Sequence, residues 1–581
     1  MTRISLLFVL VCAPGLAMGE PDANPTPTPA TPPAAPETPE TPETPETPET
    51  PETPETPETP ETVTEPAAAP QPTVSATPAA PVPAAPTPSA PAAVKTPDLK
   101  AATTAAAPKS PTWFGSEALS LHLPFMATYR YEDAGPVTVD GDGNTSDPKG
   151  ASSAQVRLGL TVKAWPSKLT RFSLEYEHDV YAGQFAGGAT GDTELVYGPL
   201  EGDDTDDTMR RAFAKLRLGP VFFGGGFTVS HWGMGLLAND GDHGWSPGSA
   251  QFIDPRGGDR VRRGYVGVGP LPALDLLVMG AYDVVEGDDV LLGEDAAEQY
   301  LGSMVIQPGK PRTAGLYVAH RTQTHAGEKS TEVTVFDLYL HWTASLANGL
   351  DFVGAFEGAV ISGTTGLGPN TDYPEHEVYQ VGVGARGELR GERWGTVLDF
   401  FYGSGDRNLD DREVNAFRAD HNYELGMLLF RHVIGAHSAR GPVRASDLDL
   451  VGEPAEDLDR FPSRGAATNA WVVFPKAWWR SRSGVEIYGG PMLAFSDVEL
   501  VDPRNTRLAG GALRNGYDGE PGALLGTEFD LGLRYQRQVS GVNVTAGVEA
   551  AAFAPGSALA DAEGNPIDAV YGFRAMTRVQ L

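Results

Sequence analysis

The sequence predicts an all-β protein: a transmembrane, antiparallel up-and-down β-barrel of about 18 strands that follows a disordered Pro-rich segment. Three observations support this fold class. Apolar and polar residues alternate with a period of two through much of residues 113–581, and long and short links alternate between the predicted strands. No run of about 18 apolar residues follows the first 20 residues, so no membrane-spanning helix is expected. A chain that crosses lipid with strands must close them into a barrel, because lipid offers no partners for open backbone groups.

The final residues, 570–581, give the clearest alternation. Side chains on a strand point alternately to its two faces, so each face collects every second residue. The apolar face holds Tyr571, Phe573, Ala575, Thr577, Val579 and Leu581, and the other face holds Gly572, Arg574, Met576, Arg578 and Gln580. This pattern resembles the C-terminal signal strand of bacterial outer-membrane barrels, although Leu581 stands where an aromatic residue is usual. The resemblance implies that the barrel-insertion machinery recognises this strand, and we expect the strand to close the barrel against residues 117–131.

The first residues predict export from the cytoplasm. Arg3 precedes an apolar run over residues 4–16, and the small residues Ala17 and Gly19 both precede a cleavage site between residues 19 and 20. This is the pattern of a cleaved secretory signal peptide, which we assign to residues 1–19. The only cysteine, Cys12, lies inside it, so the mature chain has no disulfide and no cysteine-based metal site.

Residues 20–110 consist mainly of Pro, Ala, Thr and Glu, and residues 36–62 are nine tandem Pro-Glu-Thr triplets. Such a segment has too little apolar surface to offset the entropy of ordering, so it predicts an extended, disordered periplasmic tether. Two interpretations stay open: a plain spacer, or a tether that binds peptidoglycan or a periplasmic protein. The net charge of −33 makes nucleic acid an unsuitable partner.

Residues 111–581 form the predicted barrel domain. Its strands are expected at 117–131, 152–165, 171–182, 209–219, 221–232, 262–269, 274–285, 300–307, 313–323, 332–343, 350–362, 377–390, 394–403, 468–478, 484–496, 525–537, 542–553 and 569–581. Short periplasmic turns and long outer loops alternate between them, as in outer-membrane barrels. Residues 422–433 could form a further strand, but an odd count would place the two termini on opposite sides. We therefore place them inside the long connection 404–467, folded into the lumen or over the mouth, while counts of 16 or 20 stay open.

Tryptophans lie near the ends of several predicted strands. Aromatic residues at strand ends are typical of the belts that membrane barrels form at the two lipid–water interfaces. The residues concerned are Trp113, Trp165, Trp232, Trp394, Trp478 and Trp479.

One stretch carries a resemblance to a known family. Residues 400–406 read Phe-Phe-Tyr-Gly-Ser-Gly-Asp, and Phe417, Asp420 and the Leu-Leu-Phe-Arg of residues 428–431 follow. These residues resemble the large monomeric outer-membrane porins of the alginate-export type, which are 18-stranded barrels, and similar segments occur in proteobacterial and myxobacterial barrel proteins of unassigned role. The resemblance extends over residues 113–581, with motif-like similarity at 394–432. It implies a barrel in the outer membrane.

Charged residues on the predicted inner face are the candidate functional site. Closure of the barrel would gather cations from several strands into one basic wall, with acidic residues such as Glu175, Glu177, Asp337, Asp351 and Glu357 between or opposite them. Three interpretations stay open: paired charges that only keep the lumen wet, a selective path for an anionic solute, and a plugged, non-conducting lumen. The candidate wall consists of Arg130, Arg157, Lys163, Arg211, Lys215, Arg217, Arg534, Arg574 and Arg578.

Catalysis is not expected. The sequence contains no nucleophile-elbow, zinc-protease or phosphate-loop motif, so we predict no catalytic residues, no cofactor and no bound metal. A rim cluster of His231, Asp240, Asp242 and His243 leaves an outer-membrane hydrolase as a remote alternative. Residues 140–147 place oxygen ligands at alternate positions, as calcium loops do, but lack the glycine and glutamate that complete such a loop, so a solvated surface loop is expected.

The sequence therefore predicts a porin-like channel or exporter in the bacterial outer membrane for hydrophilic solutes, an anionic solute or a polysaccharide being the favoured kinds. The alternative is a non-transporting scaffold or adhesin barrel held to the cell wall by its tether. The expected partners are outer-membrane lipid and lipopolysaccharide, the latter bridged to acidic loop residues such as Asp406, Asp410 and Asp411 by divalent cations.

Overall fold

A computed structural model describes residues 112–581 except for 116–117, 148–149, 184–205, 242–257, 289, 294, 327–328, 369–371, 409–410 and 446–457. The predicted signal peptide, residues 1–19, and the Pro-Glu-Thr tether, residues 20–110, lie outside the described residues.

Eighteen strands form the barrel, in agreement with the predicted count. In chain order they are β1 (Leu119–His122 and Phe125–Ala134), β2 (Ala151–Ala164), β3 (Thr170–Gly183), β4 (Asp206–Leu218), β5 (Val221–Val229), β6 (Arg260–Leu271), β7 (Leu276–Gly287), β8 (Asp295–Ile306), β9 (Arg312–His325), β10 (Lys329–Ser345), β11 (Asp351–Thr365), β12 (His376–Arg390), β13 (Trp394–Gly403), β14 (Ala470–Arg480), β15 (Val485–Ser496), β16 (Leu524–Val539), β17 (Val542–Pro555) and β18 (Val570–Gln580).

Each strand pairs with its sequence neighbours in antiparallel register, and the last strand pairs with the first. The closing register runs from Gly572 opposite Ala134 to Gln580 opposite Met126. Both segments of β1 then pair with β2, with Phe125 opposite Leu158 in the longer one. The predicted closure by the final strand is therefore confirmed, and the ring has no open sheet edge.

The observed strands differ from the predicted ones mainly at their outer ends. β8 begins at Asp295 instead of residue 300, because the pairing of Asp295 with His325 extends the ladder through a polar stretch. β1 likewise continues to Ala134 instead of residue 131. Sequence alternation marks only the part of a strand that lies against the apolar surroundings, whereas the backbone ladder continues into polar residues beyond it.

The outward face of the barrel is apolar and the inward face is buried. Phe529, Leu531 and Leu533 on β16 are exposed, whereas Glu528, Asp530 and Arg534, which belong to the opposite face of the same strand, are buried. The same alternation recurs around the ring, which is the arrangement of a transmembrane barrel with an apolar outer band. Further exposed members of this band are Leu158, Phe172, Leu174, Leu216, Phe223, Val266, Leu316, Phe336, Leu398, Val473, Ile487, Tyr571 and Phe573.

The expectation of tryptophan belts is only partly right. Trp394 and Trp479 are exposed at the ends of their strands, at 48% and 49% of full exposure, as an interfacial residue should be. Trp478 points the other way because neighbouring strand residues face opposite sides, and its indole donates to Glu388 inside the barrel. Trp232 also turns inward and donates to Asp337 at 2.9 Å.

Short elements occupy the loops. Strand pieces lie at Thr112–Gly115, Val137–Thr138, Thr145–Ser146 and Glu413–Val414, and helical turns at Ala347–Gly349, Leu458–Arg460 and Ser557–Leu559. The longer helices are a π-helix at Leu429–Ile434, helix α1 at Gly435–Ala445 and helix α2 at Pro503–Leu508. Within the part of the chain that the structure describes, none of the helices has the length and apolar character needed to cross a membrane.

The connection between β13 and β14 turns into the barrel. Its residues 420–445, here called the plug, contain the π-helix and α1, and most of them are buried. The apolar side chains Leu428, Leu429 and Val433 are completely buried in one cluster with Phe474 and Phe553 from the barrel wall. Of the two predicted positions for residues 422–433, the structure therefore shows the lumen.

Candidate functional site

The candidate site is the lumen, and the strand register brings the predicted cations together as expected. On β18, Met576 lies opposite Arg130 of β1, so Arg574 and Arg578 flank that arginine. On the other side of β1, Met126 lies opposite Arg157 of β2. The predicted arc of cations across β18, β1 and β2 is therefore present.

Carboxylates of β3 neutralise the cations of β2 and β4. Arg157 donates two hydrogen bonds to Asp179, at 2.6 and 2.8 Å. Lys215 contacts Glu175 at 2.8 Å. Arg211 donates to Glu177 at 3.1 Å, and the guanidinium also lies 3.7 Å from Glu175. These ion pairs form a ladder along the lumen wall in which neighbouring strands supply opposite signs.

The cations of β16 and β18 are also held by inward-facing partners. Arg534 pairs with Glu486 on the neighbouring strand and lies over the ring of Tyr488, 4.7 Å from its centroid. Arg574 lies between Glu549 of the wall and Glu424 of the plug, and its distance to Glu424 is 2.6 Å.

The other four predicted cations make different contacts. Arg578 donates to the hydroxyl of Thr128 at 3.2 Å. Arg217 donates to the carbonyl oxygens of residues 219 and 269, at 2.9 and 2.6 Å, and so fastens two short turns. Arg130 is buried on the same face as Glu132, whereas Lys163 is exposed. At least five of the nine cations thus form ion pairs with carboxylates, and the use of this wall as a solute path stays a prediction.

A carboxylate on the lumen wall fixes the start of the plug. Glu528 of β16 accepts backbone N–H groups from Met427, Leu428 and Leu429, at 2.5, 2.9 and 2.8 Å. Three successive N–H groups make a concave anion site, and their carboxylate partner also satisfies the free donors at the beginning of the π-helix. The preceding Gly426 has a φ of 71°, and a Cβ there would lie 2.8 Å from Glu528. Only glycine fits this position without strain.

The loop after β5 repeats this arrangement on the opposite side of the lumen. Residues 230–241, here called the second inward loop, contain Gly233 at a φ of 58°. The following N–H groups of Met234 and Leu236 donate to Glu357 of β11, the latter at 3.2 Å. The two inward segments touch at the backbone, where the N–H of Asp420 donates to the carbonyl of Leu236 at 2.8 Å. The predicted acidic residues Asp337 and Glu357 therefore position a loop.

Buried ion pairs hold the centre of the plug. Glu132 of β1 contacts Arg431 at 2.8 Å and His432 at 2.9 Å, and all three side chains are nearly inaccessible. Removing one member of a buried pair leaves an uncompensated charge, which typically costs about 3–5 kcal/mol. These contacts therefore fix where the plug lies more strongly than surface ion pairs would.

Loops at the outer end of the barrel hold α1. Arg440 donates to Asp140 at 2.7 Å, and Arg444 donates to the carbonyl of residue 516 at 2.9 Å. Burial acts to raise the pKa of Asp140, but hydrogen bonds from Asn144 and Arg440 outweigh it and hold that pKa below its ordinary value. The expected solvated loop is thus wrong for Asp140, which is buried against the plug. It is right for residues 141–144, which are exposed.

His437 of α1 is enclosed by this outer layer. Its ring lies 5.4 Å from the ring of Tyr517, and burial lowers the pKa of the imidazole. Burial similarly raises the pKa of the Tyr517 hydroxyl, which donates to the carbonyl of Thr138 at 2.9 Å.

A cavity of about 560 Å³ lies between the plug and the wall formed by β6 to β12. It occupies the half of the barrel near the long loops, because its wall residues come from the strand ends that lead into those loops. Its wall includes Ala319, Val335 and Ile361, and its plug side includes Ile434 and His437.

The structure describes only part of the residues on which the predictions about catalysis and metal binding depend. His231 lies 3.8 Å from Asp240, while Asp242 and His243 are outside the described residues. Among the residues that the structure describes, no three His, Cys, Asp or Glu side chains are grouped to hold a metal ion. Asp406 and Asp411 accept backbone N–H groups of their own loop, and Asp410 is not described. The absence of catalysis and of cofactors stays a prediction, and so does the bridging of lipopolysaccharide to the acidic loops by divalent cations.

Comparison with known proteins gives structural likeness only. No family model matches the sequence, and no curated protein matches it. Among solved structures, the chain is similar to Pseudomonas aeruginosa OccK5 (OpdH), with a TM-score of 0.46 and 10% identity over 79% of this chain and 98% of that one. It is similar to Acinetobacter baumannii OccAB1, with a TM-score of 0.45 and 9% identity over 80% and 98%. It is also similar to P. aeruginosa OccK2 (OpdF) in complex with glucuronate, with a TM-score of 0.44 and 11% identity over 79% and 98%. Because these values are low, the fold assignment rests on the strand pairing of this chain, and the alginate-export resemblance stays a prediction.

Sequence reasoning missed the residues that hold the plug. Glu132, Glu424 and Glu528 were not candidates, although Glu528 has the inward parity of β16. The available signal was Gly426 followed by three apolar residues, a pattern that fits a nest of N–H groups as well as it fits a strand.

Proposed function

We propose that this protein is a porin-like channel of the bacterial outer membrane that passes small solutes through the part of its lumen not filled by the plug. The observation that carries the proposal is the unequal filling of a closed barrel. The plug packs against β13 to β18 and β1, whereas a cavity of about 560 Å³ lies against β6 to β12. An 18-stranded ring is wide enough to leave an aqueous path when loops constrict it only in part.

The charges of the lumen favour weak selectivity between anions and cations. A fixed cation biases ion flow through its field, and a carboxylate at ion-pair distance cancels most of that field. Arg157, Arg211 and Lys215 each have such a carboxylate. Of the three interpretations of the basic wall, we favour paired charges that keep this side of the lumen wet. A preference for anionic solutes and export of a polysaccharide stay predictions.

The outward face and the predicted export signal support the proposed location in the outer membrane. The apolar band suits lipid, and the final strand carries the pattern that implies recognition by the insertion machinery. The proposal also includes contacts to lipopolysaccharide through the acidic loops, and to peptidoglycan or a periplasmic protein through residues 20–110. The peptidoglycan contact is tested by retention: purified peptidoglycan should retain the full-length protein but not a variant that lacks residues 36–62.

A non-transporting scaffold is the second candidate, and the buried ion pairs of the plug favour it. Residues such as Glu132 and Arg431 hold the plug so firmly that a sealed lumen is a reasonable alternative. The two candidates differ in one property, which is the passage of ions.

Electrical recording in planar bilayers separates the two functions. The channel proposal expects discrete current steps from the purified full-length protein, and weak selectivity in a salt gradient. Bilayers that contain the protein, as shown by antibody or protease accessibility, and yet stay silent would leave the scaffold as the function. A variant that lacks the plug serves as the positive control for insertion into the bilayer, because it should conduct whether the native protein is a channel or a scaffold.

A further inference from the structure

The cavity wall has a composition that a purely aqueous path does not require. Lumen-facing positions of porins are normally polar, because they line water. On β9 to β12, two neighbouring rows of such positions instead contain five aliphatic side chains. Strand register places Ala319, Val335 and Ile361 side by side in one row, and Val333 and Val378 in the next row. All five line the cavity.

Polar rows lie above and below this aliphatic band. The row on the outer side contains Gln323, Thr331 and Thr365, and the inner row contains Tyr317 and Asp337. The band is therefore a bounded patch at one depth of the lumen. The rest of the cavity lining includes further apolar side chains, one of which belongs to the plug, namely Leu237, Ala419, Ile434, Phe461, Leu500 and Leu525.

Two arginines that line the cavity already have carboxylate partners. Arg321, which lies opposite Val333 in the second row of the band, contacts Asp288 at 2.5 Å and Gln323 at 2.8 Å. Arg460 contacts both carboxylate oxygens of Asp295 at 2.8 Å. An anionic ligand would have to displace these carboxylates and leave them buried without a counter-charge, which is costly.

Two neutral polar side chains that line the cavity have no such partner. Within the described residues, neither the hydroxyl of Tyr317 nor the side-chain amide of Gln380 has a hydrogen-bond partner. Gln380 lies at one end of the aliphatic row, next to Ile361, and Tyr317 lies one row below Ala319. A ligand with an apolar body and a hydroxyl group would satisfy both the aliphatic band and one of these groups.

We infer that this cavity binds a small uncharged amphiphile with an aromatic or aliphatic body and a hydroxyl group, such as a phenol or an alcohol. The volume of about 560 Å³ is within the usual range of small-molecule sites, roughly 300–1,000 Å³. This inference rests on the proposed channel function and names the class of solute that the channel selects. It differs from the anionic solute that the basic wall suggested.

The test is equilibrium dialysis of 1-naphthol against the purified full-length protein in detergent. In the variant Val333→Thr with Val335→Thr, hydroxyl groups of nearly the same size replace methyl groups in the band, and we expect affinity to fall by about tenfold because buried hydroxyls disfavour an apolar ligand. The matched control is Val266→Thr with Val278→Thr on the outward face, at 51% and 38% exposure, which should bind as the wild type does. Equal binding by all three proteins would mean partition into detergent only and would overturn the inference.

Two further comparisons define the ligand class. Tyr317→Phe with Gln380→Leu should weaken 1-naphthol binding several-fold and leave naphthalene binding unchanged. The anion 1-naphthoate should bind more weakly than 1-naphthol. If 1-naphthoate binds more tightly and loses affinity in Arg321→Gln, the cavity is an anion site and the inference is wrong.

The binding site and the channel can fail separately. Binding of 1-naphthol without conductance would overturn the proposed channel function but not the binding site, and conductance without saturable binding would overturn only the binding site.

Discussion

The two halves of the lumen are built on the same strand pattern but are used differently. On the side of β16, β18 and β1, inward positions carry Glu528, Arg574 and Glu132, and each contacts the plug. On the side of β9 to β12, five of the eleven positions at the cavity carry aliphatic side chains. Hydrogen bonds and ion pairs are directional, so they fix one segment of the chain in one place. Aliphatic surface is not directional and suits contents that exchange.

The largest expected effect comes from emptying the filled half. Replacement of residues 422–445 by a short Gly-Ser linker should raise single-channel conductance several-fold, because the segment excludes water and ions from half of the lumen. The measurement is the current step in planar bilayers. The control removes the exposed loop tip 510–513, which should leave the step unchanged. An unchanged current in the plug variant would mean that the plug does not limit the path.

The next effect concerns the carboxylate that receives the plug. Glu528→Gln should lower the free energy of local opening at residues 427–434 by about 2–4 kcal/mol, since three backbone donors lose a charged acceptor. Hydrogen exchange of those amides measures it. Glu175→Gln is the matched control, a lumen carboxylate that pairs with Lys215 and not with the plug. Equal protection in the two variants would show that apolar packing alone holds the segment.

A smaller effect is expected from the ion-pair ladder. Arg157→Gln should shift the reversal potential in a salt gradient toward cation selectivity, because it leaves Asp179 without its partner. Asp179→Asn should shift it toward anion selectivity, and the double variant should return close to the wild type. A double variant that stays as cation-selective as Arg157→Gln alone would mean that Asp179 does not offset the field of the arginine, as the anionic-path interpretation of the basic wall requires.

The smallest effect is a pH dependence of α1. Because burial lowers the pKa of His437, the closed helix favours the neutral ring, while the opened segment takes up a proton near pH 6.5. The stabilisation is therefore complete above pH 6.5 and falls as pH drops below it, by at most about 1.4 kcal/mol per pH unit. Asp140, whose pKa is lowered, and Asp502, Arg444 and Tyr517 also face the ring.

Hydrogen exchange of residues 435–445 between pH 7 and 5, corrected for intrinsic rates, measures this dependence. His437→Gln should remove it, since glutamine does not titrate. A wild-type protection that rises as the pH falls would have the wrong sign for a buried neutral histidine.

The alternation of apolar and polar residues could predict the barrel because every strand faces lipid on one side and the barrel interior on the other. Phe529, Leu531 and Leu533 face lipid and the intervening residues face the interior, so the number of strands, its even parity and the closure of the barrel follow from the sequence. The same parity fails to separate a lumen wall that meets water from one that meets the plug. Arg574 was correctly expected inside, but its partner Glu424 comes from 150 residues earlier in the chain, and no local pattern relates the two.

The plug itself shows why loops are harder to predict than strands. Residues 422–433 have an apolar pattern that fits a strand, and only the even strand count argued against one. What decides their conformation is a tertiary contact, the acceptance of three N–H groups by Glu528. The aliphatic band was missed for a related reason, because residues such as Val333 and Val335 read simply as parts of a β-strand.

The central claim is that the protein conducts through one half of its lumen while the plug stays docked in the other. A disulfide between Leu428→Cys on the plug and Gly572→Cys on β18 tests it most directly, since a Cβ at residue 572 would lie 2.6 Å from the side chain of Leu428. The only native cysteine, Cys12, lies in the predicted signal peptide. The account predicts discrete current steps of the same size before and after oxidation. Silent bilayers, or steps that vanish on oxidation and return with reductant, would contradict it.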